Sequence, residues 1–207
     1  MGTKSMVHLN GDMLCAVDIK TTGPTVGYHE LLQIAIVPLN NVLVPQEIHL
    51  PFDIWIKPRY LDRSDPAYER TCYFDRLISN GQSLDATMDL FDSWFRSLNL
   101  FRGKRISILC EDWKHIGPFL QHWLGEEYYH SCFSPLSREL KVVAAFLDDR
   151  ADFSVQQIPF PVSHKFRTSS LARYLNIPFE RSEIRDSLTK AYLIAKVYKT
   201  MCVEPLL

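Results

Sequence analysis

Asp18, Lys20, Asp186 and Lys190 are the side chains whose types and spacing bear most directly on chemistry. Cys15-Ala16-Val17 is an apolar run ending in Asp18, and a Thr21-Thr22-Gly23 turn follows Lys20. In a strand, residues two apart share a face, so Asp18 and Lys20 project side by side. Two carboxylates at that spacing would hold Mg²⁺ through hard oxygen ligands. A lysine there instead presents an ammonium, which repels a cation. The same opposition recurs near the C-terminus, where Asp186 and Lys190 stand four apart, one turn along one helix face.

The elements that must position these groups are legible as hydrophobic patterns. Met13 to Asp18 reads as a first strand. Glu30 to Leu39 is nearly continuously apolar, as in a strand buried on both faces. Phe52 to Lys57 alternates between Pro51 and Pro58 and reads as a third strand that could expose an edge. Three strands before any helix suggest an antiparallel meander. Ser83 to Leu100 is the first strong helix, with Ser83 as N-cap and Leu84, Met88, Phe91, Trp94 (or Phe95) and Leu98 at helical spacing. Lys104 to Cys110 is a fourth strand; Gly117 to Leu124 is a helix ended by Gly125, and Ser137 to Asp149 is another. Pro159-Phe160-Pro161 reads as a rigid loop and Thr168 to Leu175 as a short helix. Ser182 or Asp186 opens a last helix running to about Met201. The expected class is α/β with a mixed sheet flanked by helices, without strict βα alternation. Residues 1–12 read as a flexible arm, 13–201 as a single domain and 202–207 as a tail.

Composition narrows the function classes. The chain has 207 residues, 46% of them hydrophobic, enough for a sizeable core. Its formal net charge is −1, so nucleic-acid binding would need a local basic patch. No apolar run reaches membrane-spanning length and no signal-peptide pattern opens the chain. The five cysteines, Cys15, Cys72, Cys110, Cys132 and Cys202, are widely spaced with no C-x-x-C zinc pattern, which fits a reducing cytoplasm. Tyr128 and Tyr129 read as exposed aromatics that could serve an interface, though isolated surface tyrosines are ordinary.

Asp18-Ile19-Lys20-Thr21-Thr22-Gly23 resembles the Asp-x-Glu-Thr-Thr-Gly first strand of the DEDD 3′–5′ exonucleases, the DnaQ-like and RNase T-like family with an RNase H-like fold. Leu32-Gln33-Ile34-Ala35 is similar to that family's second strand. Glu111 to Ile116, after the fourth strand, resembles its Asn-x-x-Phe-Asp motif, with Asp112 at the Asn and Ile116 at the metal-binding Asp. Arg185-Asp186-Ser187-Leu188-Thr189-Lys190 resembles the His-Asp-Ala-Leu-x-Asp motif, with Arg185 at the general-base His and Lys190 at the last metal-binding Asp. The likeness spans roughly Met13 to Met201 and is nearest the short members from bacteria and their phages.

The resemblance implies two divalent ions held by four carboxylates, and a His that deprotonates the nucleophile. Of the four ligand positions only Asp18 keeps its acid; Lys20, Ile116 and Lys190 replace the rest, and Arg185 is a poor general base. Side-chain counting moves the ligand charge from about −4 to about +1. Like charges near 4 Å repel by about 4 kcal/mol at an effective dielectric of 20. The expectation is a catalytically inactive exonuclease homologue without Mg²⁺ or Mn²⁺. It would act by binding a protein partner or single-stranded nucleic acid, as a phage-encoded regulator or inhibitor of a host process. Thr21, Asp112, Trp113, Lys114, His115 and Asp186 would line the cleft with Lys20, Arg185 and Lys190, the basic groups standing in for metals as phosphate contacts. The blander alternatives are salt bridges that stabilise a scaffold, core packing for Trp113, and a solvated loop for His164-Lys165-Phe166-Arg167. An active 3′–5′ exonuclease whose metal site is rebuilt with Mg²⁺ or Mn²⁺ from Asp186, Glu183 and Asp112, and a structural subunit, are the competing functions.

Overall fold

The computed structural model describes residues 9–60, 65–66, 81–154 and 166–203. Its elements, in chain order, are β1 (Met13–Thr21), β2 (Leu31–Pro38), β3 (Phe52–Trp55), α1 (Leu84–Ser97), β4 (Ile106–Cys110), α2 (Trp113–Leu124), α3 (Glu126–Cys132), β5 (Arg138–Glu139), α4 (Leu140–Phe153), α5 (Thr168–Tyr174) and α6 (Ser187–Val203). A short 3₁₀ turn, Glu183–Arg185, leads into α6.

The five strands form one mixed sheet in the order β3-β2-β1-β4-β5. β1, β2 and β3 pair antiparallel, the expected meander, while β4 runs parallel to β1 and β5 parallel to β4. A parallel neighbour requires a crossover, which α1 supplies. β1, β2 and β4 are buried on both faces, which is why they read as near-continuous apolar runs.

Strand parity then decides what each face receives. Cys15, Val17 and Ile19 of β1, with Ile34 and Ile36 of β2, face a core cluster that also takes in Phe91 of α1, Phe119 and Trp123 of α2 and Cys132 of α3. Leu14 and Ala16, with Ala35 and Val37, face a second cluster built from α4, α5 and α6. Asp18 and Lys20 share the parity of Leu14 and Ala16, and Gln33 shares that of Ala35. The three polar side chains are therefore delivered to the α6 face. A register irregularity between Lys20 and Thr21 ends the regular ladder there.

Several boundaries differ from those the sequence suggests. β1 continues to Thr21 because its last residues still pair with β2. α2 begins at Trp113, four residues before Gly117, because Asp112 caps it by accepting a bond from the Lys114 amide. Arg138–Glu139 is an edge strand, so α4 starts at Leu140 instead of Ser137. α3 is an additional helix, and Tyr129 within it is buried, not a surface residue. Leu9 packs into the second core cluster, so part of the expected arm is ordered against the domain, and α6 extends through Cys202 and Val203. The expected Pro159-Phe160-Pro161 loop, Cys72, and His164-Lys165 lie outside the described residues. Among the described residues, no helix is long and apolar enough to cross a membrane.

Candidate functional site: a lysine-filled cleft

Four elements converge at the C-terminal ends of β1 and β4. The cavity there, about 600 Å³, is lined by Asp18, Lys20 and Thr21 of β1, by Glu111 and Asp112 after β4, and by His115 and Ile116 of α2. Lys141 of α4, Lys190 of α6 and the Phe166-Arg167 approach to α5 complete it. Parallel strands whose C-terminal ends meet helix N-termini make such a crevice a natural ligand site.

Asp18 is its centre, and it is 2% exposed. Lys190 Nζ lies 2.8 Å from Oδ1. Lys20 Nζ donates to Oδ2 at 3.2 Å, and Ser187 Oγ donates to the same oxygen at 2.9 Å. Lys20 Nζ also donates to the Ile184 carbonyl at 3.1 Å. Burial alone would raise the Asp18 carboxyl, but the two ammoniums and the Ser187 hydroxyl hold it below its ordinary value. Burial likewise works to lower the Lys190 ammonium, and Asp18 with Glu111 outweighs it and holds the group above its ordinary value. Glu111 stands 3.6 Å from Lys190 Nζ. It also accepts bonds from the Thr168 amide at 2.8 Å and the Thr168 hydroxyl at 2.5 Å, tying the start of α5 to the cleft.

These shifts fix a pH dependence. A depressed Asp18 pKa contributes stability that is present above the ordinary value of 3.8 and lost as pH falls below it. A raised Lys190 pKa contributes stability that is complete below 10.5 and lost as pH rises past the elevated folded value. Urea unfolding should therefore show the contribution of this pair as a plateau between about pH 4 and pH 10. In Lys190→Met that plateau should flatten at both ends.

The remaining groups are similarly committed. Lys141 pairs with Asp112 and Glu139, each at 2.9 Å. The pairing raises the Lys141 ammonium; burial works against the Asp112 carboxyl, yet Lys141 and the Lys114 amide hold it low. His115 Nε2 is 3.4 Å from Thr21 Oγ1, whose hydroxyl already donates to the Gly23 carbonyl. His115 is thus placed to act as the donor through Nε2. Burial lowers its pKa, with Asp18 and Asp112 opposing, which favours the neutral imidazole.

Of the side chains that the sequence points to, Asp18, Lys20, Thr21, Asp112, His115, Ile116 and Lys190 line the cavity. Trp113, Lys114, Arg185 and Asp186 do not. Trp113 packs against the first core cluster, and a Cβ on Gly117 would meet its indole at 2.7 Å. Lys114 points to solvent, and Arg185 is exposed on the 3₁₀ turn. Asp186 turns away to cap α6, accepting from the Thr189 amide and hydroxyl at 2.9 and 3.0 Å. Its other oxygen accepts from Gln33 Nε2, which also donates to Asp53. Asp186 thus has both oxygens engaged away from the cavity, in the cap of α6 and with Gln33. Glu111, Lys141, Ser187 and Gln33 complete the arrangement without having been assigned a role from sequence. The signal for Gln33 was present, since a lone amide inside Leu-Leu-Gln-Ile-Ala-Ile-Val must find partners once buried.

The donor set does not suit a divalent ion. Both Asp18 oxygens face ammoniums, Ile116 offers an aliphatic surface, and the Glu111 and Asp112 carboxylates already accept from lysine, threonine and backbone donors. Among the described residues, no group of three or more His, Cys, Asp or Glu side chains is placed to hold a metal.

This sheet order, with an antiparallel meander joined to parallel β4 and a cleft over the ends of β1 and β4, is the RNase H-like fold of the DnaQ-like 3′–5′ exonucleases. Solved structures give that class its members. Cell-death related nuclease 4 (CRN-4) superposes with a TM-score of 0.65 at 19% identity, covering 92% of this chain and 63% of its own. The nuclease domain of 3′hExo, a DEDDh family member bound to rAMP, gives 0.64 at 16% identity, covering 94% of this chain and 93% of that domain. The zinc-bound complex of E. coli exonuclease I with single-stranded DNA gives 0.68 at 16% identity, covering 94% of this chain and 41% of the enzyme. The chain thus spans less than two thirds of CRN-4 and of exonuclease I. No protein-family model matches the chain, and no curated protein matches it in sequence.

Proposed function

We propose that this chain is a non-hydrolytic member of the exonuclease fold that binds single-stranded nucleic acid in the lysine-filled cleft, without divalent ions. One observation carries the reading: the carboxylate that a two-metal site would use has both oxygens occupied by Lys20 and Lys190. The ammoniums take the place of the ions on Asp18, engaging both of its oxygens. Each ammonium has three donors. Lys20 spends two on Asp18 and the Ile184 carbonyl, and Lys190 faces Asp18 closely and Glu111 only at 3.6 Å. A phosphate oxygen entering the cavity would find donors there, with Arg167 at the rim. Binding of single-stranded DNA by exonuclease I and of rAMP by 3′hExo supports this class of ligand for the fold.

A labelled single-stranded oligonucleotide tests both halves. With Mg²⁺ or Mn²⁺ it should keep its full length, and it should bind equally well in EDTA. Lys190→Met should weaken binding and reduce its salt slope by roughly 0.7, one phosphate contact on a single strand. Stepwise 3′ shortening by the purified chain, or binding that requires the metal, would overturn the proposal.

A further inference from the structure

The cleft is not the only place where this surface is built for an anion. α5 starts at its rim, with Phe166, Arg167 and Ser169 among the lining residues. The same helix ends at a second, open concavity of about 500 Å³ lined by Arg173, Asn176, Ile177, Pro178, Phe179 and Arg181. Seven residues of helix separate the two by on the order of 10 Å. At the 3.4 Å rise of a stacked strand that is about three steps, so a strand anchored in the cleft reaches the second concavity with its fourth nucleotide.

The chemistry of the second concavity is specific. The Arg173 guanidinium lies 5.8 Å from the centroid of the Phe179 ring. An arginine stacked on an aromatic presents a flat, cationic platform that takes a base on its open face and a phosphate at its edge. Arg173 and Arg181 are exposed, and neither forms a salt bridge among the described residues. That sets them apart from the cleft lysines, whose charges are largely spent on Asp18, Glu111, Asp112 and Glu139. Glu180, between Phe179 and Arg181 in sequence, is the adjacent opposing charge. Asn176, held at φ 54°, adds an amide to the same rim.

We propose that the Arg173–Phe179–Arg181 concavity is a second nucleotide-binding subsite that grips the backbone and one base of a strand whose end occupies the cleft. This rests on the reading of the cleft as a nucleic-acid site. The second site makes affinity depend on strand length, which the cleft alone does not.

Oligo-dT of 3 and of 12 nucleotides, titrated in EDTA across a range of salt, tests it. The native chain should bind the 12-mer at least 10-fold tighter than the 3-mer. Arg173→Ala/Arg181→Ala should erase most of that gain and lower the 12-mer salt slope by roughly 1.4, two phosphate contacts at 0.7 each. Binding of the 3-mer should stay the same, and because both side chains are exposed the variant should keep the native circular dichroism. Phe179→Leu should weaken the 12-mer without changing its salt slope, because stacking releases no counterions. If the 12-mer advantage survives the double substitution, the subsite is refuted while the cleft reading stands. If neither length binds, both fall.

Discussion

Replacing Asp18 with alanine should lower the unfolding free energy by about 3–5 kcal/mol, the cost of removing one partner from a buried ion pair. For a domain of this size that corresponds to a fall in melting temperature of roughly 10 °C. The cause lies in what remains. Lys20 and Lys190 would be left facing each other in a buried pocket with no carboxylate between them, and Ser187 would lose its acceptor. Asp18→Asn should lose less, since its amide oxygen can still accept one bond. The direction of the effect matters more than its size. In a cluster of carboxylates that awaits metal ions, deleting one acid relieves like-charge repulsion, and the metal-free protein becomes more stable. Here the measurement is urea unfolding in EDTA at pH 7. An alanine variant as stable as the native chain would mean that the ammoniums do not meet at Asp18, and the electrostatic account of the cleft would fail.

How much of this was legible from the residues depends on range. Local rules recovered β1, β2, β3 and β4, and strand parity put Asp18 and Lys20 on one face before any partner was known. Lys190, in the frame of the last motif, lies beside Asp18, 172 positions away in sequence. The same frame failed for Arg185. That residue sits on a 3₁₀ turn, where helical spacing does not yet apply, so its side chain leaves the cleft. Asp186 caps α6 and does not line the cavity; a capping acid and a cleft acid look identical in sequence, and only the bonds to Thr189 and Gln33 distinguish them. β5 was not legible, since two residues carry no period. Gly117-Pro118 resembles a helix entry, yet α2 begins four residues earlier, at the Asp112 N-cap. The network around Gln33, Asp53 and Asp186 joins residues 20 and 153 positions apart, a distance at which no periodicity speaks.

The larger expected effect comes from rebuilding the acids. Lys20→Glu, Ile116→Asp and Lys190→Asp together would place three new carboxylates beside Asp18, moving the local charge from about +1 to about −4 by side-chain counting. Without metal the variant should be less stable than the native chain, because four acids would repel at close range and one would replace a buried aliphatic side chain at Ile116. Mn²⁺ should then reverse the loss. Saturation at 100 times the dissociation constant contributes about 2.7 kcal/mol, visible as a melting temperature that rises with metal concentration. The native chain, whose oxygens are held by lysines, should show no such rise. Adding Arg185→His tests a separate point. The exposed position on the 3₁₀ turn must swing toward the cleft before it can serve as a base, so metal binding should return in the triple variant and strand cleavage only, if at all, in the quadruple one. A native chain that gains as much from Mn²⁺ as the rebuilt one would show that an ion binds despite the ammoniums. A rebuilt chain that binds none would show that Ile116 and Lys190 do not occupy the ligand positions the fold assigns them.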